Sequence, residues 1–216
     1  MYVLSICIPS LTERLDTFYK LVSGIQSQID KHKLNDKVEI VSMIDNRTQP
    51  LFYKRNVLQN KSRGLYFVHL DDDDNVSDDY VITLYEHIVN MKTFKKEYPD
   101  VIGYWQLAKV KGKRFIVMCD INKHFATEYV GLYDNYKGDS NIDFKEPINT
   151  YVRFPWQWCA WHKRFKNVYR SDIDTNARED QNWLNRVRLE YPKTMSNIPK
   201  ILHIYNFDDP TQSTCQ

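Results

Sequence analysis

Four consecutive aspartates, Asp71–Asp74, follow an apolar segment that runs from Leu65 to Leu70. Carboxylates this close repel one another, and some of them would take up protons unless a cation neutralised them. A hard divalent cation that prefers oxygen ligands, such as Mn²⁺ or Mg²⁺, is therefore one natural partner. The alternative is an acidic turn at the start of a helix, because aspartate favours turns and helix N-termini. We call these four residues the acidic loop.

Spacing and composition exclude several common binding sites. An EF-hand calcium loop beginning at Asp71 would place Val76 where glycine is required and Ile82 where a bidentate glutamate belongs. None of the six glycines has the spacing of a glycine-rich phosphate loop. The net charge of +2 lacks the basic excess of a nucleic-acid-binding protein, so we predict no nucleic-acid partner.

The cysteines and the apolar runs bear on the compartment. Cys7, Cys119, Cys159 and Cys215 are scattered and form no C-x-x-C pair, which favours a reducing environment. No apolar run approaches the roughly 20 residues of a membrane helix, and the N-terminus lacks the charged region of a signal peptide. We therefore predict a cytoplasmic protein without a transmembrane segment.

Short apolar segments alternate with amphipathic ones in the N-terminal half. Strands are predicted at residues 2–8, 38–44 and 65–70, and helices at 11–29, 51–62 and 77–91. This alternation implies a parallel sheet of the Rossmann type, in which ligands bind beyond the carboxyl ends of the strands. Asp45 and the acidic loop follow two such ends and are candidates for ligand contacts.

A change of structure is predicted directly after the first strand. Pro9 is expected to end that strand, because it cannot donate a hydrogen bond to a sheet. Ser10 lies three residues before Glu13, which is the spacing of a capping box. We therefore predict that Ser10 caps the first helix.

The C-terminal half has a different pattern. It predicts a hairpin from 101–107 and 114–119, a strand at 156–161, a helix at 178–191 and a strand at 201–205, and it leaves 120–154 unassigned. The predicted fold is α/β, with a mixed sheet that is parallel in its N-terminal part and flanked by helices. We expect a single domain over residues 1–216, which could form part of a longer protein.

Four segments, in order, carry a resemblance to a known family: SICIPSLTER, MIDNR, KRNVLQNKSRGLYFVHLDDDDNV and REDQNW. Together they resemble the family-2 nucleotide-sugar glycosyltransferases of GT-A fold, well over residues 1–92 and more loosely over 153–205. The resemblance implies a GT-A fold with a nucleotide-binding half (1–100) and an acceptor-binding half (101–216). The chain length and the LDDDDNV segment also resemble a small virus-encoded glycosyltransferase domain, which would act in the host cytoplasm.

The resemblance implies a donor site for a nucleoside diphosphate sugar, with UDP-linked donors favoured. The base and ribose would be held by the turn after the first strand, at Pro9, Ser10 and Arg14. Asp45 would accept a hydrogen bond from the uracil N–H, and its structural alternative is an Asx-turn. Lys54 and Arg55 would lie near the diphosphate, and their alternative is a solvated helix face.

The resemblance also implies a metal in the acidic loop. The register of the strand favours Asp71 and Asp73 as the D-x-D carboxylates. Asp71 and Asp72 would contact the nucleotide sugar, and Asp73 together with Asp71 would hold Mn²⁺ or Mg²⁺. Asp72 and Asp74 stay open as alternative ligands. His203 would complete the metal shell or contact the diphosphate, unless it is a buried histidine satisfied by hydrogen bonds. A metal held there would neutralise the leaving group.

Glu179-Asp180 resembles the family's "ED" motif, in which one carboxylate takes the proton of an acceptor hydroxyl. We prefer Asp180 to Glu179, and the alternative is an acidic first helical turn. The acceptor would be a glycan or glycoconjugate, with Trp158 and Trp156 as a sugar platform, although core packing is the more common fate of tryptophan. Attack assisted by Asp180 would invert the anomeric centre, and a retaining reaction stays open.

Two other functions stay open beside sugar transfer. A sugar-phosphate nucleotidyltransferase also uses a Rossmann-like sheet and a metal on aspartates, but usually carries a glycine-rich segment that PSLTER lacks. A non-catalytic carbohydrate- or metal-binding module would give Asp180 no role. The released product separates the two enzymes, because sugar transfer releases UDP and nucleotidyl transfer releases pyrophosphate.

Overall fold

The N-terminal part of the sheet is parallel, as the sequence predicts. The computed structural model describes residues 1–95, 97–123, 126–133, 147–166, 179–190 and 192–206. Its first strands are β1 (Leu4–Leu11), β2 (Val38–Asp45) and β3 (Tyr66–His69), and β1 pairs in parallel with both of the others. A one-turn helix (Thr12–Arg14) precedes α1 (Leu15–Lys31), α2 (Leu51–Lys61) leads to β3, and β4 (Asn75–Val76) precedes α3 (Tyr80–Lys95).

β1 is longer than predicted, and its length corrects the prediction for Ser10. The strand continues through Pro9 to Leu11. It pairs with β2 along its whole length but with β3 only as far as Cys7, so that among the described strands none pairs with the other side of Pro9. The missing N–H of Pro9 therefore costs no ladder hydrogen bond. Ser10 lies in the strand, and neither helix that follows has a side-chain cap from it, so the predicted cap is wrong.

The C-terminal half continues the same sheet with strands of both directions. β5 (Val101–Val110) and β6 (Lys113–Cys119) form the predicted hairpin, and β7 (Glu128–Tyr133) and β8 (Ile148–Arg153) lie in the stretch that the sequence left unassigned. The strand predicted at 156–161 is confined to β9 (Ala160–His162). The order along the sheet is β2-β1-β3-β9-β5-β6-β8-β7. α4 (Glu179–Leu189) is the predicted helix.

The last strand joins the two halves. β10 (Met195–Asn206) begins earlier than predicted and pairs in parallel with β5. It also pairs antiparallel with the short β4, where His203 lies opposite Val76. This pairing brings His203 beside the acidic loop, from which it is distant in sequence.

Buried apolar side chains hold the helices against the sheet. The predicted apolar face of α1 is confirmed at Phe18, Leu21, Ile25 and Ile29, all of which are buried. The indole rings of Trp161 and Trp183, both fully buried, pack edge to face with centroids 5.3 Å apart and attach α4 to β9. The predicted α/β class with a mixed, helix-flanked sheet is confirmed. In the described part of the chain, no helix is long and apolar enough to cross a membrane.

Candidate functional site

A cavity of about 340 Å³ opens at the carboxyl ends of β1 and β2, between the start of α2 and the acidic loop. We call it the strand-end cavity. Six of the eight residues predicted to bind a nucleotide sugar line it: Pro9, Ser10, Arg14, Lys54, Asp71 and Asp72. They converge because the parallel strands end at the same edge of the sheet. The other two predicted residues, Asp45 and Arg55, do not line it.

Arg14 joins two carboxylates of the acidic loop. Its Nη2 atom lies 3.0 Å from Asp72 Oδ1 and 2.6 Å from Asp73 Oδ2. Ser10 Oγ donates to Asp72 Oδ2 at 2.6 Å, across 62 positions of sequence. Burial raises the pKa of the Asp72 carboxyl, although Ser10 and Arg14 act in the opposite direction. Asp72 is therefore a buried part of the cavity wall.

The carboxyl of Asp73 is buried beside other carboxylates, and Arg14 only partly offsets their negative charge. Burial, followed by repulsion from Asp71, raises the pKa of Asp73 to about 7, although Arg14 donates to its carboxylate. Near neutral pH, about half of the molecules would thus carry a proton on Asp73. A further cation would favour the ionised form, because an opposite charge a few ångströms away lowers a carboxyl pKa.

Arg55 is a buried contact of Asp71. Its side chain is 1% exposed and donates to Asp71 Oδ1 at 2.5 Å and to Gln157 Oε1. The predicted alternative of a solvated helix face is therefore wrong for Arg55. The side chain of Asp71 is 40% exposed and reaches the cavity, so Arg55 holds from behind a carboxylate that faces a ligand. Gln157 was not predicted, because nothing in the local sequence links it to α2.

His203 reaches the acidic loop through Asp74. Its Nε2 atom lies 3.0 Å from Asp74 Oδ2, which also accepts the main-chain N–H of Asp71 at 2.8 Å. On the other side of the ring, Gln106 Nε2 lies 2.8 Å from His203 Nδ1 and can donate to it. Within the described residues, His203 is thus buried and hydrogen-bonded at Nδ1, whereas Nε2 lies near Asp74 without making a hydrogen bond, so its predicted contact with a metal or diphosphate stays a prediction. The loop carboxylate beside His203 is that of Asp74, whereas Asp71 and Asp73 are the predicted metal ligands.

The aspartates of the acidic loop fit Mn²⁺ or Mg²⁺ only in part. Among the described residues, no three side chains of histidine, cysteine, aspartate or glutamate are grouped so as to hold a metal ion. Mg²⁺ in nucleotide sites is usually held by one or two carboxylates together with phosphate oxygens and water. Asp71, which is partly exposed, and Asp73, whose pKa is raised by burial and by repulsion from Asp71, fit that smaller requirement.

Asp45 and Lys54 form a buried pair beside the cavity. Lys54 Nζ donates to Asp45 Oδ1 at 2.8 Å and to the Ser10 carbonyl at 2.9 Å. Asp45 Oδ2 accepts from the Gln49 N–H at 2.6 Å and from Thr48 Oγ1 at 3.2 Å. Burial acts to raise the pKa of Asp45, but the bonds from Lys54 and Gln49 keep it lowered. The carboxylate thus bonds within the turn after β2, but to the N–H four residues on rather than the N–H two residues on of an Asx-turn. Its contact with uracil stays a prediction.

Asp180 lies in the first turn of α4 and is partly buried. Its Oδ1 atom accepts the N–H of Gln181 at 2.7 Å. Its charge also acts on Arg153, whose pKa is lowered chiefly by burial. Arg153 was not predicted, since it ends the unassigned strand β8. Glu179 begins the same helix.

The two tryptophans predicted as a sugar platform are largely occupied by protein. Trp158 is buried, belongs to the core and stacks on His203, with ring planes at 8° and centroids 5.4 Å apart. The guanidinium of Arg153 lies 3.6 Å from the centre of the Trp156 ring. One face of each ring is therefore covered by protein. Because Trp158 is buried, Trp156, which is partly exposed, is the one of the two that leaves ring surface for a sugar.

Comparisons with known proteins give a likeness in fold alone. No protein family and no curated protein matches this sequence. The structure is similar to that of S. aureus TarS, with a TM-score of 0.53, 12% identity, and coverage of 94% of this chain and 36% of that one. It is also similar to TarS 1–349 in complex with UDP-GlcNAc (TM-score 0.53, 13% identity, 94% and 58% of the chains). The complex of TarS 1–349 with UDP is similar as well (0.53, 10%, 94% and 60%).

The chain spans between 36% and 60% of the length of these TarS chains. Two of the TarS structures hold UDP-GlcNAc and UDP. Nothing in the comparisons supports a viral origin. The division into two functional halves, the role of each site residue and the compartment stay predictions.

Proposed function

We propose that this protein is a glycosyltransferase of GT-A type that moves a sugar from a nucleoside diphosphate sugar to a hydroxyl of a glycan or glycoconjugate. The observation that carries the proposal is the strand-end cavity, which Arg14, Lys54, Asp71 and Asp72 line together. Basic and acidic side chains at one strand-end opening suit a diphosphate and its counter-cation. The fold likeness to a protein solved with UDP-GlcNAc supports a UDP-linked donor.

We further propose that transfer depends on Mn²⁺ or Mg²⁺. Asp71 and Asp73 would hold the ion, and the donor diphosphate and water would supply its other ligands. Such an ion supplies charge neutralisation of the leaving diphosphate. Arg14 adds a fixed positive charge beside the same carboxylates, and Arg55 keeps Asp71 in place.

Asp180 is proposed as the base. Its carboxylate takes the proton of the acceptor hydroxyl while that oxygen forms a bond to the anomeric carbon. The bond from the anomeric carbon to the diphosphate oxygen breaks, and UDP leaves with the electron pair. Attack from the face opposite the leaving group inverts the anomeric centre. Glu179 is the neighbouring alternative for this role.

The test is a screen of nucleotide sugars with and without Mn²⁺. It measures both the released nucleoside diphosphate and the glycosylated acceptor. Release of UDP that requires both acceptor and Mn²⁺ supports the proposal. Pyrophosphate as the product would instead indicate the nucleotidyltransferase. Donor binding without any product would indicate a binding module.

A further inference from the structure

Two buried cysteines touch each other across 40 positions of sequence. Cys119 ends β6, and Cys159 directly precedes β9. Their sulfur atoms lie 3.5 Å apart, and both side chains are buried. Both are free thiols, and neither belongs to the acidic loop or lines the strand-end cavity. We call these two residues the cysteine pair.

The topology of the sheet brings the cysteine pair together. β10 pairs with one side of β5 at residues 101–109, so β6 and β9 must share the other side. On that side, β6 pairs with residues 106–110 and β9 with residues 101–102. Cys119 at the end of β6 therefore meets Cys159 at the start of β9, in the gap between these two strands.

The residues of β5 that face this gap hold the cysteine pair in place. A Cβ atom built on Gly103 would lie 3.1 Å from the Cβ of Cys119, so the backbone of β5 packs closely against that side chain. The hydroxyl of Tyr104 donates to the carbonyl of Trp158, the residue before Cys159. The two thiols therefore face each other from positions that β5 fixes.

A disulfide bond fits this geometry. Its length of about 2.05 Å requires the two sulfur atoms to approach by about 1.5 Å, a movement that two short side chains can share. The bond would join the end of β6 to the start of β9. It would close a loop over residues 120–158, which carries β7, β8 and both tryptophans of the predicted sugar platform.

We propose that the cysteine pair is a redox site, in which a hydroperoxide oxidises the two thiols to a disulfide that ties this loop to the sheet. The sulfur of Cys119, which is 5% exposed, attacks a peroxide oxygen, the O–O bond breaks, and a sulfenic acid forms. The sulfur of Cys159 then attacks the sulfenic sulfur, the S–S bond forms and the S–O bond breaks. Two thiols and one hydrogen peroxide thus give one disulfide and two waters, and two electrons pass from sulfur to the peroxide.

The surroundings set the order and the pace of these steps. Burial, followed by the hydrogen bond with Cys119, raises the pKa of Cys159 well above its ordinary value, although the charge of Arg153 acts in the opposite direction. Cys159 is therefore the second thiol to react. Because a buried thiol with a raised pKa reacts slowly, the pair stays reduced in a reducing compartment and closes under sustained oxidation. This redox site is independent of the proposed sugar transfer.

The experiment treats the folded chain with hydrogen peroxide and analyses a non-reducing proteolytic digest by mass spectrometry. Every sample carries Cys215→Ser, because Cys215 lies outside the described residues and its thiol would compete. We expect peptides joined through Cys119 and Cys159, which dithiothreitol separates again. Cys7→Ala, which removes another buried thiol, is the matched control and should leave the cross-link unchanged. Cys159→Ser should abolish the cross-link and leave a sulfenic acid on Cys119, which dimedone traps.

Oxidation should also raise the thermal midpoint by about 5 °C or more, because closing a loop of this length constrains the unfolded chain. Cys159→Ser receives the same dose of peroxide and should keep its midpoint, which accounts for oxidation at other residues. Dithiothreitol should return the oxidised chain to its original midpoint.

A cross-link within the cysteine pair of the folded chain, together with a higher midpoint, supports the proposal. A folded chain that forms no such cross-link overturns it, as does a cross-link that forms only after unfolding in urea. A cross-link that leaves the midpoint unchanged or lowers it also overturns it, because the loop would not then be tied. These outcomes are measured with both thiols of the pair in place, so the folding of a variant does not decide them.

Discussion

The carboxylates of the acidic loop and the carboxylate of Asp180 are held in different ways. In the loop, Arg14, Arg55 and His203 come from three separate elements and each contacts an aspartate. For Asp180, the hydrogen bond found within the described residues comes from the adjacent main chain, at Gln181. The acidic loop is thus held by side chains distant in sequence, whereas the contact of Asp180 found within the described residues is local.

This contrast is tested most strongly by Asp180→Asn, which keeps the shape of the side chain and removes its capacity to take a proton. We expect transfer to the acceptor to fall by roughly 10²–10⁴-fold, the usual contribution of a positioned base. Donor affinity should stay near native, because the acidic loop is untouched. The assay must follow the glycosylated acceptor, since slow hydrolysis of the donor could persist.

Glu179→Gln is the matched control for that variant. Near-native transfer in Asp180→Asn with strong loss in Glu179→Gln would move the base by one residue. Near-native transfer in both variants would remove the basis for an inverting reaction. A purely structural role at the helix N-terminus would change stability by at most about 1 kcal/mol.

The second prediction concerns the donor side alone. Asp73→Ala should abolish the Mn²⁺-dependent part of UDP binding, with a loss of at least about tenfold, because the diphosphate loses its neutralising ion. Calorimetry with and without Mn²⁺ measures the UDP affinity of the variant. The control is Asp36→Ala, which changes an exposed aspartate away from the cavity. Unchanged affinity in Mn²⁺ would show that Asp73 holds no ion.

A third, smaller effect concerns Asp100, which directly precedes β5 and belongs to neither region. Asp100 accepts hydrogen bonds from Arg164 Nε at 2.7 Å and from the N–H groups of Lys193 and Thr194 at 2.6 and 3.1 Å. Burial acts to raise the pKa of Asp100, but these donors keep it below the ordinary 3.8. Asp100→Asn should therefore lower the free energy of unfolding by about 1–3 kcal/mol near pH 6.

The pH dependence of that effect has a definite sign. A depressed carboxyl pKa contributes stability that is present above the unfolded value and is lost as the pH falls through the folded value. The difference between native and Asp100→Asn should shrink from pH 6 to pH 3 in urea unfolding. A difference that stays constant would mean that Asp100 acts through packing rather than through its charge.

The smallest expected effect is at Gly24, in the middle of α1. A Cβ atom built there meets no atom within 4 Å, so alanine fits without strain. Gly24→Ala should stabilise the fold by about 0.5–1 kcal/mol, because glycine loses more backbone entropy in a helix. Gly24 lines a second cavity, of about 830 Å³, that also borders Asp72–Asp74. Transfer should still be unchanged, since the added methyl group contacts no other residue. Loss of transfer would place α1 in the donor site.

The sequence predicts well the local structure around the strand-end cavity and the acidic loop. The apolar face of α1, the parallel strands and the position of Asp45 and Asp71–Asp74 at strand ends all follow from short-range periodicity. It fails at Ser10, where a capping-box spacing competes with a strand that continues through Pro9. It also misses β8, and with it Arg153, because the polar, tyrosine-rich stretch around this short strand obscures its alternation.

The sequence by itself determined which residue types stand at the strand ends, since alternation and turn chemistry are encoded within a few positions of the chain. Only the tertiary structure decided their partners. Ser10 bonds to Asp72, Arg55 to Gln157, and His203 reaches Asp74 because β10 pairs with β4. These contacts join residues far apart in the chain, and no local pattern records them. Burial then sets their charges, as it does when it raises the pKa of Asp73 to about 7.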